Sequence, residues 1–415
     1  MAKSRYTRAE KSWIMYDVGN SALVLLATSV IPIYFSSLSP DGGVMVAWSY
    51  AETVASLIIA LLMPILGSIA DMEGMKKRFI IGCVGTGVVA TVALGFPTSA
   101  MAFLVIYVIS SVALNSSMVF YDALLVDATT DERMDEVSSL GYAWGYIGSC
   151  VPFIACLLVV LNYDALGLTL QGAMQIAFVI TAAWWLVFTI PMLKDVQQKH
   201  FKPREDHPVK RAISAITGLK STLTEIMSNT AVKYYMIAYF FYIDGVHTII
   251  KLSTSYGTDL GISSTQLVLA LLVTQFVAFP SAIIYGRLSS KYGTRRMLLI
   301  AIAAYFGITL FAAFLLRSAF EFWILAILVG MFQGGIQALS RSEFGKLCPK
   351  DRANEYFGFF DIFGKYAAIL GTLLVGTLTA ITGNSSLGVL GIAVLFVIGF
   401  ALMLKVPQAD EEVEG

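Results

Sequence analysis

The sequence predicts an all-α membrane protein with twelve transmembrane helices in two pseudo-symmetric six-helix bundles, and three observations lead to this fold class. First, 57% of the residues are hydrophobic, only 13% are charged and the mean hydropathy is +0.75, whereas a soluble domain has about twice that charged share. Second, twelve apolar runs are long enough to cross a bilayer. Third, a short motif at the end of one run recurs 219 residues later.

The predicted spans divide into six in each half of the chain. They cover residues 13–38, 44–70, 78–97, 100–128, 138–162, 172–193, 231–256, 263–288, 296–316, 319–345, 354–381 and 385–406. We therefore predict an N-terminal bundle over 1–193, a cytoplasmic linker over 194–230 and a C-terminal bundle with a short acidic tail over 231–415. The linker has an amphipathic pattern that fits a helix on the inner membrane surface or a solvated linker helix.

The recurring motif follows the second span of each half. Its members are Gly67, Ala70, Asp71, Gly74, Lys76 and Lys77, and then Gly286, Ser289, Ser290, Gly293, Arg295 and Arg296. Small residues allow close helix approach, glycine permits a tight turn, and cations favour the cytoplasmic side of a membrane. We expect Asp71, Lys76, Lys77, Arg295 and Arg296 to control conformation rather than to contact a solute.

Lysine and arginine placement predicts the orientation. With these spans, and with Arg78, Arg287, Arg296 and Lys405 at the span ends counted with the adjacent loop or tail, the segments on the side of the N-terminus hold 23 of the 28 cations, and the opposite loops hold only Arg317. Both termini are therefore expected to be cytoplasmic, in the inner (plasma) membrane of a bacterium. The basic start of the chain leads into an apolar run without a small-residue cleavage site, which predicts an uncleaved first span.

Several function classes lack support in the sequence. The formal net charge is zero, without the basic footprint of a nucleic-acid-binding protein. We find no phosphate-binding loop, no cysteine or histidine spacing typical of a metal site, no nucleophile with a base and no glycine-rich cofactor fingerprint. We therefore expect neither an enzyme nor a bound metal or cofactor.

Three stretches carry a resemblance to a known family. They are the group Trp13, Tyr16, Asp17, Asn20 and Ser21, the run YFFYIDGVHTII at 239–250, and residues 333–371 with QALSRSEF and EYFGFFDIFGKYAAILG. With the twelve spans and the repeated motif, the chain resembles the major facilitator superfamily, and within it the vacuole-effluxer branch of autophagy-related amino-acid exporters and their bacterial relatives. Val18, Gly19 and His247 depart from that family's pattern. The resemblance implies a gated cavity between two bundles and export of small amino-acid-like solutes.

Ionisable residues inside predicted spans are functional candidates because each costs roughly 2.5 to 3.5 kcal/mol at membrane depth. Asp244, His247 and Lys251 lie on one face of the seventh span, which suggests a substrate- or proton-binding wall or, alternatively, a structural polar ladder. Glu52 in the second span has no basic neighbour at helical spacing. It is a candidate proton carrier, or an acid that contacts water at the outer mouth.

A second group of charges lies in the cytoplasmic third of the spans. Its members are Asp17, Asp122, Asp127, Arg341, Glu343, Asp361 and Lys365. Asp122 and Arg341 are again 219 residues apart, so the duplication places opposite charges at matching positions that could pair in a gate. Asp361 and Lys365, at i and i+4, are expected to neutralise each other.

Uncharged polar and aromatic residues complete the predicted binding pocket, because the resemblance implies that their spans line the cavity. They are Tyr16, Asn20, Asn115, Tyr121, Trp144, Gln275, Gln333 and Gln337. An aromatic residue at helical spacing in a membrane helix is more often a packing residue or an interface anchor than a ligand contact. The expected activity is secondary active transport of a small polar or zwitterionic metabolite by a monomer, coupled to protons. The alternatives are export of amphipathic drug-like or lipid-like molecules, facilitated diffusion without protons, and a sensor that does not transport.

Overall fold

The computed structural model of the protein describes residues 6–38, 44–203, 208–259 and 261–407, and among helical positions whose side chains are not described are 208–214 and 365–368. The α-helices of the described part are α1 (Arg8–Ser37), α2 (Val44–Ala70), α3 (Lys76–Ala93), α4 (Ala100–Ala123), α5 (Leu125–Ala128), α6 (Asp131–Leu161), α7 (Leu170–Asp195), α8 (Pro208–Ser228), α9 (Thr230–Asp259), α10 (Ser264–Tyr292), α11 (Thr294–Phe314), α12 (Ala319–Leu347), α13 (Ala353–Thr382) and α14 (Ser385–Met403). A 3-10 turn at Lys350–Arg352 precedes α13.

Among the described residues, ten helical stretches are long and apolar enough to cross a membrane. The helices α3 and α9 also coincide with predicted spans, but they fall outside that set. Three cations open α3, and α9 carries Lys233, Asp244 and Lys251. The total of twelve spans stays a prediction.

Side chains at several helix starts supply the hydrogen bonds that a helix end lacks. Thr7 and Glu10 form a reciprocal capping box at α1, with distances of 2.6 and 3.2 Å. Ser99, Thr169 and Ser263 cap α4, α7 and α10 in a simpler way. Local sequence thus fixes where these helices begin.

The chain folds as two compact units. Unit 1 contains Met1–Thr130, Trp144–Ala215 and Lys350–Gly358, and unit 2 contains Asp131–Ala143, Ile216–Pro349 and Phe359–Gly415. Each unit therefore includes a short segment from the other half of the sequence. The division into bundles over 1–193 and 231–415 stays a prediction.

Helix pairing repeats between the units. In unit 1, α1 packs on α7, α2 on α4, and α3 on both α4 and α7. In unit 2, α9 packs on α14, α10 on α12, and α11 on both α12 and α14. Because each pair in unit 1 has a counterpart at the equivalent place in unit 2, the tertiary structure carries the duplication that the repeated motif indicates.

Candidate functional site

Asp244 lies in the middle of α9 and is completely buried within unit 2. Its Oδ1 accepts hydrogen bonds from the Gly371 N–H of α13 at 2.9 Å and from the Thr248 hydroxyl at 3.2 Å. Its Oδ2 is buried and has no hydrogen-bond partner among the described residues. Because a buried charge without full compensation is costly, the Oδ2 atom is suited to accept a proton.

The close approach of α13 to Asp244 requires glycine at position 371. A Cβ there would collide with the Thr248 hydroxyl and lie 2.6 Å from Asp244 Oδ1. On the same face of α9, His247 is half-buried and Lys251 is exposed. The three predicted residues therefore share a helix face but differ in burial, and Asp244 is the one that is fully buried.

A small cavity of about 40 Å³ lies among α9, α10 and α12 in unit 2. This volume holds a few water molecules and is smaller than a typical small-molecule site. The lining is mostly apolar, and its polar members are Ser253, Thr274 and Gln333. Gln333 is thus the predicted pocket residue that lines an observed cavity. Gln275 is half-buried on α10, and its amide oxygen has no hydrogen-bond partner among the side chains and backbone that the structure describes, while Gln337 is half-buried on α12.

Four of the predicted residues meet in one buried cluster of unit 1. The Tyr121 hydroxyl donates to Asp17 Oδ2 at 2.9 Å, and the Asn20 amide donates to Asp17 Oδ1 at 3.3 Å. Tyr16 donates to Ser117 at 2.6 Å, and its ring lies 4.6 Å from that of Tyr121. The structure thereby joins a residue predicted for a gate, Asp17, with residues predicted for a pocket, and all four are at most 5% exposed.

Glu52 has a partner that helical spacing does not reveal. The phenol of Tyr107, 55 residues away on α4, donates a hydrogen bond to its carboxylate, and Trp48 packs on that phenol ring with centroids 4.3 Å apart. Of the remaining pocket candidates in unit 1, Asn115 donates to the backbone of its own helix at 2.8 Å. Trp144 is 47% exposed.

The first copy of the repeated motif caps a helix. Asp71 Oδ1 accepts hydrogen bonds from the Asn354 backbone at 2.9 Å and from the Asn354 side chain at 2.7 Å, and Oδ2 accepts the Glu355 N–H at 3.0 Å. These amides belong to the first turn of α13, where N–H groups lack intrahelical partners and favour negative charge. We call Asp71, Asn354 and Glu355 the Asp71 cap. All three are buried in unit 1.

Gly67→Ala tests the close contact behind the Asp71 cap. A Cβ at Gly67 would collide with the Asn354 carbonyl oxygen and lie 2.8 Å from its carbon. Overpacking of this kind costs about 1 to 3 kcal/mol, so we expect the cap to open about 5- to 150-fold more often. Hydrogen exchange of residues 353–358 measures the opening. Gly82→Ala on α3, where a Cβ meets no atom within 4 Å, is the matched control, and equal exchange in both variants would contradict the prediction.

The Asp71 cap should depend on pH. Burial raises the pKa of the Asp71 carboxyl to about 6, against the opposing effect of Lys76 and the amide donors. Because the capped state holds the proton more tightly than a solvated carboxyl does, its extra stability is fully present below pH 3.8 and is lost as the pH rises through about 6. We expect exchange of 353–358, corrected for intrinsic rates, to increase between pH 5 and pH 7 in wild type and to be flat in Asp71→Asn. Faster exchange at the acid end would overturn this assignment.

The corresponding region of unit 2 contains a second buried carboxylate, Asp135, near the start of α6. It accepts hydrogen bonds from Thr294 and Ser342 at 2.6 Å each and from Lys346 at 2.7 Å. We call these four residues the Asp135 cluster. Beside it, a Cβ at Gly286 would lie 2.6 Å from that of Ser139.

The Asp135 cluster was not predicted from the sequence, although one signal was available. Asp135 and Asn354 are separated by 219 residues, as are Gly67 and Gly286. The pair Gly67 and Asn354 in unit 1 therefore corresponds to the pair Gly286 and Asp135 in unit 2. Extending the repeat beyond the glycine motif would have identified both contact regions.

Other predicted gate residues occupy varied environments. Arg341 donates to the Ser138 hydroxyl and carbonyl at 2.9 Å each, and its guanidinium lies 4.3 Å from the centre of the Tyr142 ring. Asp122 and Asp361 are half-buried. The pairing of Asp122 with Arg341 stays a prediction, and the side chain of Lys365 lies outside the described residues.

The motif cations hold helix ends within their own units. Lys76 forms an ion pair with Asp127 at 2.6 Å, and both side chains are fully buried. Lys77 donates to the Leu193 carbonyl at the end of α7, at 2.9 Å. Arg295 donates to carbonyls in the last turn of α14, whereas Arg296 is exposed. These contacts join α3 to α5 and α7 and join α11 to α14.

Comparison with known proteins identifies the family. The profile of the family described as "Vacuole effluxer Atg22 like" matches residues 126–414. The chain belongs to this family. The uncharacterized MFS-type transporter YxiO of Bacillus subtilis is 44% identical over 414 residues, which cover 97% of this chain and 96% of YxiO. Autophagy-related protein 22 of Kluyveromyces lactis is 24% identical, covering 81% of this chain and 74% of the relative.

Solved structures agree on the fold of this Atg22-like chain. The human organic anion transporter MFSD10 (TETRAN) superposes with a TM-score of 0.74 at 14% identity, covering 95% of this chain and 99% of the other. The proton:xylose symporter XylE superposes with a TM-score of 0.74 at 11% identity, covering 96% and 94%. The Atg22-like chain is an integral membrane transporter of the major facilitator fold, a non-enzymatic class, which confirms the predicted family and fold class.

Proposed function

We propose that the protein is a proton-coupled secondary transporter of a small zwitterionic, amino-acid-like solute. The observation that carries this proposal is the Asp244 carboxylate, enclosed in unit 2 with its Oδ2 atom lacking a hydrogen-bond partner in the described part of the chain. Ionisable groups at membrane depth commonly form proton relays in transporters. Protonation would remove the uncompensated charge and thereby change the stability of the contact between α9 and Gly371.

Two contact regions support alternating access as the mechanism. The Asp71 cap and the Asp135 cluster both lie at the predicted cytoplasmic ends of helices, and both depend on buried carboxylates with several donors. Contacts of this kind, if made in one conformation and broken in another, bias a two-state equilibrium. We place both termini in the cytoplasm and the monomer in a bacterial plasma membrane, in keeping with the distribution of cations.

The direction of transport and the substrate class are supported by the family and by the cavity. The family description "Vacuole effluxer Atg22 like" supports export, and for the substrate class the cavity combines apolar walls with the polar groups of Ser253, Thr274 and Gln333. The polarity of that lining matches a solute with an aliphatic or aromatic side chain and a hydrogen-bonding end, and the cavity would widen to hold it.

The test is flux in proteoliposomes that contain the purified full-length protein. A panel of radiolabelled amino acids is loaded for counterflow, and hits are then measured with and without an imposed pH gradient. Gradient-driven accumulation of at least one amino acid supports the proposal. Counterflow that is indifferent to the gradient would instead establish a facilitator, and absence of counterflow for the whole panel would exclude this substrate class.

A second candidate function is export of amphipathic molecules. The observation that favours it is the predominance of apolar side chains in the cavity, among them Ile249, Leu267 and Phe322. Thermal stabilisation of the protein by a set of amphipathic cations and lipids, compared with the amino-acid panel, separates the two candidates, because a ligand stabilises the folded state that it binds.

A further inference from the structure

The segment that follows α7 does not leave the protein as a free linker. Residues 198–202, which we call the linker strap, run along the turn between α2 and α3. The Lys202 N–H donates to the Asp71 carbonyl at 2.8 Å, and the Glu73 N–H donates to the Lys202 carbonyl at 3.2 Å. The Gln198 amide lies 3.2 to 3.4 Å from the carbonyl oxygens of Ala70, Asp71 and Met72. Main chain and side chain together thus hold the strap on the motif turn.

The middle of the linker strap is bound to Asp127. The backbone N–H groups of Lys199 and His200 each donate to Asp127 Oδ1 at 2.9 Å, and the His200 ring nitrogen lies 3.1 Å from the same atom. The other oxygen of Asp127 accepts Lys76. Since a carboxylate only accepts hydrogen bonds, the facing His200 nitrogen carries a proton. Asp127 therefore connects the strap to the first turn of α3.

Lys202 joins the linker strap directly to the Asp71 cap. Its backbone holds the peptide of Asp71, and its ammonium group lies 2.9 Å from the Glu355 carboxylate. The Glu355 N–H is in turn capped by the Asp71 side chain. Lys202 therefore contacts both Asp71 and Glu355, and these three residues form a closed ring of contacts. Arg352 adds a longer contact of 3.4 Å to Glu355.

Asp127, the carboxylate that binds the linker strap, occurs in only one half of the duplicated sequence. The position that corresponds to Asp127, displaced by 219 residues, is Lys346. Lys346 donates to Asp135 and Thr294 instead of accepting from backbone amides. The linker strap therefore binds beside the Asp71 cap, and the equivalent position beside the Asp135 cluster has no carboxylate to bind such a strap.

We propose that Lys202 is a positioning residue of the Asp71 cap, through which the central linker regulates the conformational cycle of the transporter. With the strap in place, the cap is held closed. Displacement of the strap, by a partner that binds the linker or by movement of α8, loosens the cap and favours the conformation in which α13 leaves the motif turn. The proposal rests on the alternating-access mechanism inferred above, but its structural step can be measured without transport.

The experiment compares Lys202→Met, Lys202→Arg and Lys199→Met in the full-length protein in nanodiscs. Lys199→Met is the matched control, because it removes the same charge from the same strap while Lys199 contributes a backbone hydrogen bond to the contacts above. Lys202→Met should raise hydrogen exchange of residues 353–358 roughly two- to fivefold, the range of a partly exposed ion pair. Lys202→Arg should restore protection, and Lys199→Met should match wild type.

The outcomes separate the two proposals. Unchanged exchange in Lys202→Met, or a rise of equal size in Lys199→Met, would overturn the role of Lys202. A rise with altered counterflow and an unchanged thermal midpoint supports regulation by the linker strap. A rise in exchange with normal counterflow would retain Lys202 as a positioning residue of the cap but would refute both the regulatory role and the use of this cap in alternating access.

Discussion

Asp244→Asn should eliminate transport driven by a pH gradient while leaving counterflow intact. The amide keeps an oxygen that can accept hydrogen bonds from Gly371 and Thr248, but it cannot exchange a proton. One coupled proton gains about 2.3 kcal/mol from an imposed pH gradient equivalent to 100 mV, which corresponds to about 50-fold accumulation. That accumulation should fall to the level of equilibration in the variant. Uptake and counterflow in the same proteoliposome preparation provide the measurement.

Glu52→Gln is the comparison for Asp244→Asn, because Glu52 is the other predicted proton carrier. Its carboxylate already accepts a hydrogen bond from Tyr107 and is only half-buried, so we expect the variant to retain gradient-driven accumulation. If Glu52→Gln abolished accumulation and Asp244→Asn did not, the proton-coupling site would have to be assigned to Glu52 on α2. Gly371→Ala supplies a second check, since a Cβ there displaces the Asp244 side chain without changing its charge.

Asp127→Asn should destabilise the protein by about 3 to 5 kcal/mol, the cost of leaving one member of a buried ion pair without its partner. Lys76 is fully buried and lies 2.6 Å from Asp127, so its ammonium group would face an amide that cannot neutralise it. The thermal midpoint in detergent and the fraction of monodisperse protein on size-exclusion chromatography are the measurements.

Two variants complete the test of the Lys76 and Asp127 pair. Arg8→Gln removes a pair of similar length, 2.9 Å to Asp195, in which the arginine is 83% exposed, and it should cost less than about 1 kcal/mol. Lys76→Met combined with Asp127→Asn should recover part of the loss, because the unpaired charge is removed while the amide oxygen can still accept the N–H groups of Lys199 and His200. Equal midpoints for Asp127→Asn and Arg8→Gln would contradict the prediction.

Hydropathy and the repeat were sufficient for most of the helices and for the superfamily, because membrane spans must be apolar and continuous over about twenty residues. The same pattern gave Asp244 as an unusual acid, since any carboxylate in such a run is conspicuous. It also gave Gly67 and Gly286, whose small size proved to matter against the chain segments at Asn354 and Ser139. The narrower family required the three sequence stretches at 13–21, 239–250 and 333–371.

The sequence did not predict which residues contact each other in the tertiary structure. Asp71 meets residues 283 and 284 positions away, and no local period encodes such a pairing. Tyr16 and Asn20 were predicted as pocket residues, but the sequence could not show that Tyr16 packs against Tyr121 and that Asn20 donates to Asp17. For the same reason the linker was predicted from its polarity alone, and its bonds to Asp127 depend on backbone amides that carry no side-chain signal.

The exchange of short segments between the two units has a consequence for fragments of the polypeptide. A polypeptide cut within the linker would separate residues 350–358 from unit 1 and residues 131–143 from unit 2. Neither fragment, produced alone, would then contain all the residues of its unit. Coexpressed fragments should instead complement one another, so that each one protects its counterpart from degradation in the cell.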